Sequence, residues 1–195
     1  MTKKSKSELR KIFLSKRKKI SKENGTNFSI SISNIAISFI LKINAKKVGC
    51  YLPINSEVNT NHLLEKLFKS DFEICLPLTP IKPSELLFKS WKPNDPLVPG
   101  PFGTRQPLSN STKITPEILI VPMLSYDHYG YRLGYGGGYY DRTIKALCET
   151  NENLITIGLA FEKQKCEKLP VDKHDVPLKV LVHENGILNF KNNYS

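Results

Sequence analysis

The chain has 195 residues, of which 39% are hydrophobic and 24% charged, with a formal net charge of +11. That length suits one domain of ordinary size or two small ones. The composition excludes collagen, coiled coil and wholesale disorder.

The excess charge sits at one end. Residues 1–24 hold ten basic side chains against Glu8 and Glu23, leaving +8 there and only +3 over the rest. Ser5-Lys6-Ser7-Glu8 fits a capping box, so a helix is expected to start at Ser5. Leu9, Ile12, Phe13, Lys16 and Ile20 form its mostly apolar stripe. Lys6, Arg10, Phe13 and Arg17 share another face. A Lys and an Arg one turn apart can hold two oxygens of one polyphosphate. The same run also reads as an ordinary solvated basic face.

Phe28–Leu41 is compatible with a strand or a helix, and its length favours helix. The apolar run from Phe28 to Ile43 is broken by Ser31, Ser33, Asn34, Ser38 and Lys42, short of the roughly 20 apolar residues of a membrane span. No membrane helix is expected, and no cleavage site for a signal peptide follows the basic start. Cys50, Cys75, Cys148 and Cys166 form no CxxC pair and read as reduced thiols. These signals together predict a cytoplasmic protein.

Further along, Lys47–Ile54 reads as a buried strand. Thr60–Lys69 reads as an amphipathic helix, with Asn59 placed to cap it. Phe72–Leu78 and Glu85–Trp91 read as strands. Lys92–Pro107, rich in Pro and Gly, reads as a long irregular loop of the kind that often carries function. Glu117–Leu124 is a near-continuous apolar strand, Tyr139–Glu149 a helix and Leu154–Ala160 a strand. Two short strands around Glu184-Asn185-Gly186 close the chain. Strands apolar on both faces, alternating with helices, predict an α/β protein with a mostly parallel central sheet flanked by helices. Ligands bind such sheets at the carboxyl ends of strands, which directs attention to the loops after Ile54, Leu78 and Leu124.

The last of these is the sharpest feature. It runs through Gly130-Tyr131-Arg132-Leu133-Gly134-Tyr135-Gly136-Gly137-Gly138-Tyr139-Tyr140-Asp141. Its glycines allow left-handed backbone and close approach to a ligand, and a helix starts directly after them, where free N–H groups and the dipole favour phosphate. It is neither a P-loop nor GxGxxG. Arg132 adds a fixed fork for phosphate oxygens. Asp141, in the first helical turn, reads either as a dipole partner or as a magnesium ligand.

At these residues the sequence resembles the 5-formyltetrahydrofolate cyclo-ligase family, in the stretch VPMLSYDHYGYRLGYGGGYYDR. In order along the chain, KSELRK, YLPINSEVNT, ICLPL, GPFGTRQP and LPVDKHDVPLKVLV are similar to other segments of that family. The resemblance covers nearly the whole chain and implies one cyclo-ligase domain over residues 1–195, with a three-layer, Rossmann-like α/β fold. It implies a monomer that uses ATP and Mg2+ to convert 5-formyltetrahydrofolate to 5,10-methenyltetrahydrofolate, releasing ADP and phosphate. In the implied mechanism the formyl oxygen attacks the γ-phosphate of ATP, and N10 of the folate then displaces phosphate from the imidoyl phosphate.

By matching position, the resemblance makes Lys6 and Arg132 catalytic. It places Lys6, Arg10, Arg132, Leu133, Gly134, Tyr135, Gly136, Gly137, Gly138, Tyr139 and Tyr140 on ATP. Leu52, Glu57, Tyr135 and Tyr139 fall on the folate, and Asp141 and Asp175 on magnesium. Asp175 also reads as a simple turn cap. Trp91 reads as a stacking ring or as core. Two positions depart from the family pattern: Gln106 stands where Glu is common, and Lys179 where an acid is common. His128 receives no role. The competing class is a nucleic-acid-binding protein using the basic N-terminal helix, against which no RRM, KH or zinc pattern appears. The expectation is therefore small-molecule substrates, no nucleic acid and no membrane.

Overall fold

A computed structural model of the chain describes residues 4–190, so Lys3 of the basic segment lies outside the described residues. The chain opens with α1 (Lys6–Ile40), a single helix of 35 residues. Ser5 caps it as expected: Ser5 Oγ accepts from Glu8 N at 3.3 Å, and Ser5 N donates to Glu8 Oε2 at 2.7 Å. The two helical stretches expected at the start and at Phe28–Leu41 are thus one element. The polar middle stays helical because tertiary contacts use it. Gly25 is buried facing the Phe161 ring, whose Cζ would lie 4.0 Å from a Cβ there, and Ser29 Oγ accepts from Asn59 N at 3.0 Å. Leu9, Phe13, Ile20, Ile32, Ala36 and Ile40 are buried along the inner face. Ile12, expected in the stripe, is 42% exposed, and Arg17 takes the buried place instead.

The strands are β1 (Lys47–Gly49), β2 (Glu73–Leu78), β3 (Leu87–Ser90), β6 (Ile118–Pro122), β9 (Ile155–Leu159), β10 (Val180–His183) and β11 (Gly186–Asn189) of one seven-stranded sheet, with β4 (Leu97–Pro99) paired to β5 (Arg105–Pro107) and β7 (Ser125–Tyr126) paired to β8 (Arg132–Leu133) as separate hairpins. The sheet order is β11-β10-β9-β6-β1-β2-β3, parallel through its five inner strands and antiparallel at both edges. This is the expected mostly parallel α/β architecture. Alternate residues of the inner strands serve opposite faces. Ile118 and Ile120 pack beneath α1 and α2 (Asn61–Lys69), while Leu119 and Val121 pack beneath α3 (Tyr139–Thr150).

Several local expectations are corrected. Only Lys47–Gly49 of the expected strand Lys47–Ile54 pairs in the sheet. Beyond it the chain turns outward, held by Thr60 Oγ1 donating to Tyr51 O at 2.7 Å and Tyr51 Oη donating to Val58 O at 3.1 Å. Thr60 occupies the cap position of α2, while Asn59 Oδ1 accepts from Asn61 N at 2.9 Å. The expected irregular loop Lys92–Pro107 contains the β4–β5 hairpin. The glycine segment contains the β7–β8 hairpin, whose connection is closed by the buried Asp127 accepting from Tyr129 N and Tyr131 N, both at 3.0 Å.

The topology places the site. β1 leads through α2 to β2 on one side, and β6 leads through α3 to β9 on the other. The switch point lies between β1 and β6, where loops leaving neighbouring strands part and leave a crevice. No helix among the described residues is long and apolar enough to cross a membrane.

Candidate active site

A cavity of about 490 Å³ opens at that switch point, within the usual range of small-molecule sites. Every residue assigned above to ATP, folate or magnesium lines it. Trp91 does not: it packs against the core and donates Nε1 to Asp95 O at 3.4 Å. Gln106 and Lys179 do not line it either. Gln106 Oε1 accepts from Thr79 N at 3.2 Å, and Lys179 Nζ donates to Glu152 O at 3.3 Å, so both departures from the family pattern serve loop contacts here. His128 sits at the surface against Glu167 O.

One end of the cavity is built by the glycine segment and the start of α1. Gly136 has φ +106 and Gly138, the residue before α3, has φ +65, backbone that side chains with a Cβ rarely adopt. A Cβ on Gly136 would lie 3.2 Å from the Arg10 guanidinium carbon, whose Nε donates to Gly134 O at 3.0 Å. Arg10 and the loop therefore lie flush. The first N–H groups of α3 have no partner within the helix, and the residues that carry them line the same cavity. Arg132 Nη2 donates to Asp141 Oδ1 at 2.7 Å and Nη1 to Val176 O at 2.6 Å. Burial lowers the Arg132 guanidinium from its ordinary value, while Asp141 and Asp175 oppose that shift. Lys6 Nζ donates to Asp175 Oδ2 at 2.5 Å and Asp172 Oδ2 at 2.6 Å. Burial works against the charge on Lys6, but the two aspartates outweigh it and hold it above the ordinary lysine value.

These pairings refine the expected roles. The cations expected on phosphate and the carboxylates expected on magnesium hold one another. Asp175 also closes its own turn, accepting from Asp172 N at 2.7 Å, which is its reading as a turn cap. Among the described residues no group of three or more His, Cys, Asp or Glu forms a metal cage. Magnesium is normally held by one or two carboxylates together with substrate phosphates rather than by a full protein cage. Asp141 Oδ2 and Asp175 Oδ1 enter no hydrogen bond among the described residues. The donor set fits that mode of binding.

The other end is formed by the loop after β1. Leu52 is half-buried there, and Glu57 is buried with Oε2 accepting from Ile54 N at 3.0 Å. Burial pushes the Glu57 carboxyl up to about 7, against that hydrogen bond and the nearby Arg17. Arg17 was not among the expected site residues, although its spacing placed it on the face of Lys6 and Arg10. Its side chain is 1% exposed. Nε donates to Ser56 Oγ at 3.1 Å, Nη1 to Met123 O at 2.9 Å and Nη2 to the Tyr135 hydroxyl, and Nη1 lies 3.8 Å from Glu57 Oε1. It thereby joins α1 to both ends of the cavity. Three of the nine described basic residues of the N-terminal segment are thus turned inward, which reduces the basic face open to solvent.

A mostly parallel α/β sheet with a cationic, glycine-lined pocket at its switch point, opposite a buried carboxyl, defines an enzyme for small-molecule substrates. Residues 2–184 match the 5-formyltetrahydrofolate cyclo-ligase family, and the chain belongs to that family. It is 34% identical to the 5-formyltetrahydrofolate cyclo-ligase of Haemophilus influenzae over 76% of this chain and 81% of that protein. It is also 34% identical to the Escherichia coli K12 enzyme of the same name, over 71% and 78%. The solved structure of 5,10-methenyltetrahydrofolate synthetase from Aquifex aeolicus superposes with a TM-score of 0.75 at 32% identity, covering 97% of this chain and 95% of that one. The Mycoplasma pneumoniae synthetase shares the fold, with a TM-score of 0.74 at 24% identity over 93% and 99%.

Proposed function

We propose that this ligase closes 5-formyltetrahydrofolate to 5,10-methenyltetrahydrofolate at the expense of ATP, with magnesium. The observation that carries this reading is that one cavity has the cationic, glycine-lined segment at one end and the buried Glu57 carboxyl at the other. An amide oxygen is a poor leaving group, so the formyl oxygen first takes the γ-phosphoryl group and ADP departs. N10 then attacks the activated carbon and gives up its proton, phosphate leaves, and the ring is closed. Such chemistry depends on positioning and charge neutralisation.

In this reading Lys6, Arg10, Arg132 and the Leu133–Tyr140 loop grip the phosphates, with Lys6 and Arg132 neutralising charge at the transferred group. Asp141 and Asp175 hold magnesium, which when bound supplies further neutralisation of the phosphate oxygens. Leu52, Glu57, Tyr135 and Tyr139 hold the folate, the Glu57 carboxylate accepting from pterin N–H groups. The chain acts as one domain over residues 1–195, as a monomer in the cytoplasm.

The test follows absorbance at the methenyl folate band with purified protein, 5-formyltetrahydrofolate, ATP and magnesium. A rise that needs all three additions is expected. A folded protein that gives no rise with all three present overturns the proposal.

A further inference from the structure

Arg17 reaches three walls of the cavity without being part of any. Its side chain is 1% exposed, and neither Arg17 nor Ser56 lines the cavity, whereas Glu57, Met123 and Tyr135 do. Its partners come from three segments far apart in the chain. Ser56 and Glu57 belong to the loop after β1, Met123 follows β6 directly, and Tyr135 lies in the glycine segment. A buried guanidinium needs acceptors held in a fixed geometry, and here those acceptors are supplied by both ends of the cavity.

The two ends depend on this one side chain. Tyr135 stands between Gly134 and Gly136 with its side chain half-exposed. Among the described residues its hydroxyl has one hydrogen-bond partner, Arg17 Nη2, and Arg17 Cζ lies 5.4 Å from its ring centroid. Ser56 Oγ likewise has one partner there, Arg17 Nε at 3.1 Å. Glu57 Oε1, 3.8 Å from Nη1, is outside hydrogen-bond reach but close enough to feel the charge. Because the guanidinium is a rigid planar fork, its nitrogens cannot follow one wall and stay with the other. A shift of the Glu57 loop is therefore passed to Tyr135, and a shift of Tyr135 to the Glu57 loop.

Resting on the reading of this cavity as the site of ATP and folate, we propose that Arg17 is a positioning residue that couples the binding of the two substrates. Shut off from the cavity, it touches neither. Folate held at the Glu57 end orders the bridge through Ser56 and Glu57, and ATP then meets a Tyr135 already fixed. ATP at the glycine end does the same for the folate loop. Ordering a shared element once gives positive cooperativity without a change of shape, and the coupling is equal in both directions.

The test measures four dissociation constants for each protein by isothermal titration calorimetry. 5-Formyltetrahydrofolate is titrated with and without a saturating non-hydrolysable ATP analogue and magnesium, and the analogue with magnesium is titrated with and without saturating folate. In wild type each ligand is expected to tighten the other by about fivefold or more, equally in both directions. Arg17→Lys keeps the charge but not the fork. Tyr135→Phe removes only the hydroxyl, and decides the matter should Arg17→Lys fail to fold. In both variants the coupling is expected to fall to within about twofold of none, with the affinity for each ligand alone within about threefold of wild type. Ser56→Ala, which cuts one arm of the bridge, falls between. A residue that only holds the fold gives the opposite result, weaker binding of each ligand alone with the coupling intact, and that result overturns the inference. Wild type that binds both ligands without coupling overturns it as well, and leaves the cyclo-ligase reading standing. A folded wild type that binds neither ligand overturns that reading and this inference with it.

Discussion

Arg132 Nη2 lies 2.7 Å from Asp141 Oδ1, so the most buried cation of the phosphate end is held by a carboxylate in the first turn of α3. Arg132→Ala removes the fork that the proposed reading places on the transferred phosphoryl group. Loss of one such preorganised donor typically lowers turnover by about 10² to 10³. Circular dichroism is expected to show a folded protein with turnover reduced by at least 10²-fold. Arg132→Lys recovers only part, since an ammonium cannot reproduce the two-pronged contact with Asp141 and Val176 O. Full turnover in a folded Arg132→Ala variant rules out the assigned role.

Asp141→Asn keeps an acceptor for Arg132 and Val176 N but removes the negative charge. If Asp141 holds magnesium with the phosphates, the magnesium concentration for half-maximal rate is expected to rise at least tenfold. Asp175→Asn is expected to do the same and also to loosen Lys6, raising KM for ATP. A magnesium titration of each variant at saturating substrates measures this, and curves overlying wild type remove both residues from the metal.

Glu57 makes stability depend on pH in a stated direction. Burial pushes its folded carboxyl up to about 7, against an ordinary value near 4.5. The folded state therefore binds the proton more tightly than the unfolded state. The burden of the buried charge is absent below the ordinary value, grows as pH rises towards 7, and is fully present above it. Glu57→Gln carries no such burden. Its stability relative to wild type is expected to rise between pH 5 and 8, by up to about 3 kcal/mol. Urea denaturation across that range measures it, and a constant difference argues for an ionised, well-compensated Glu57 throughout.

The parallel sheet and most of its strands were legible because their residues are apolar on both faces, as in Glu117–Leu124. The glycine segment was legible because its chemistry is local: four glycines and a helix start within a few residues. The length of α1 was not, since Gly25 and Ser29 look like breakers until the Phe161 ring and Asn59 N are opposite them. The hairpins β4–β5 and β7–β8 were hidden because their strands are only two or three residues long. Lys6, Arg10 and Asp175 could be placed at one site by resemblance. That Lys6 and Asp175 hold each other depends on a contact spanning most of the chain. Arg17 had the right helical spacing, but nothing local distinguishes a lysine-rich solvent face from one arginine turned into the core.

Arg17 and Glu57 offer the sharpest check on the site's electrostatics. Arg17 lies 3.8 Å from Glu57 Oε1, and its other nitrogens serve Ser56, Met123 O and Tyr135. Arg17→Met takes a donor from each of those acceptors, of which Met123 O keeps Gln164 Nε2 at 2.9 Å, and leaves Glu57 without its cation. Breaking a buried pair commonly costs about 3–5 kcal/mol when the remaining charge cannot escape. Glu57 can escape by taking a proton, because losing Arg17 moves its carboxyl still higher. The destabilisation is therefore expected to be smaller at pH 6 and larger at pH 8, widening as the proton becomes harder to hold. In the double variant Arg17→Met with Glu57→Gln, the pH-dependent part disappears and only the pH-independent loss of the Ser56, Met123 and Tyr135 contacts remains. Thermal unfolding of the four proteins at both pH values resolves these contributions. A gap between wild type and Arg17→Met that does not change with pH shows that Arg17 acts through packing and hydrogen bonds and not on the charge of Glu57.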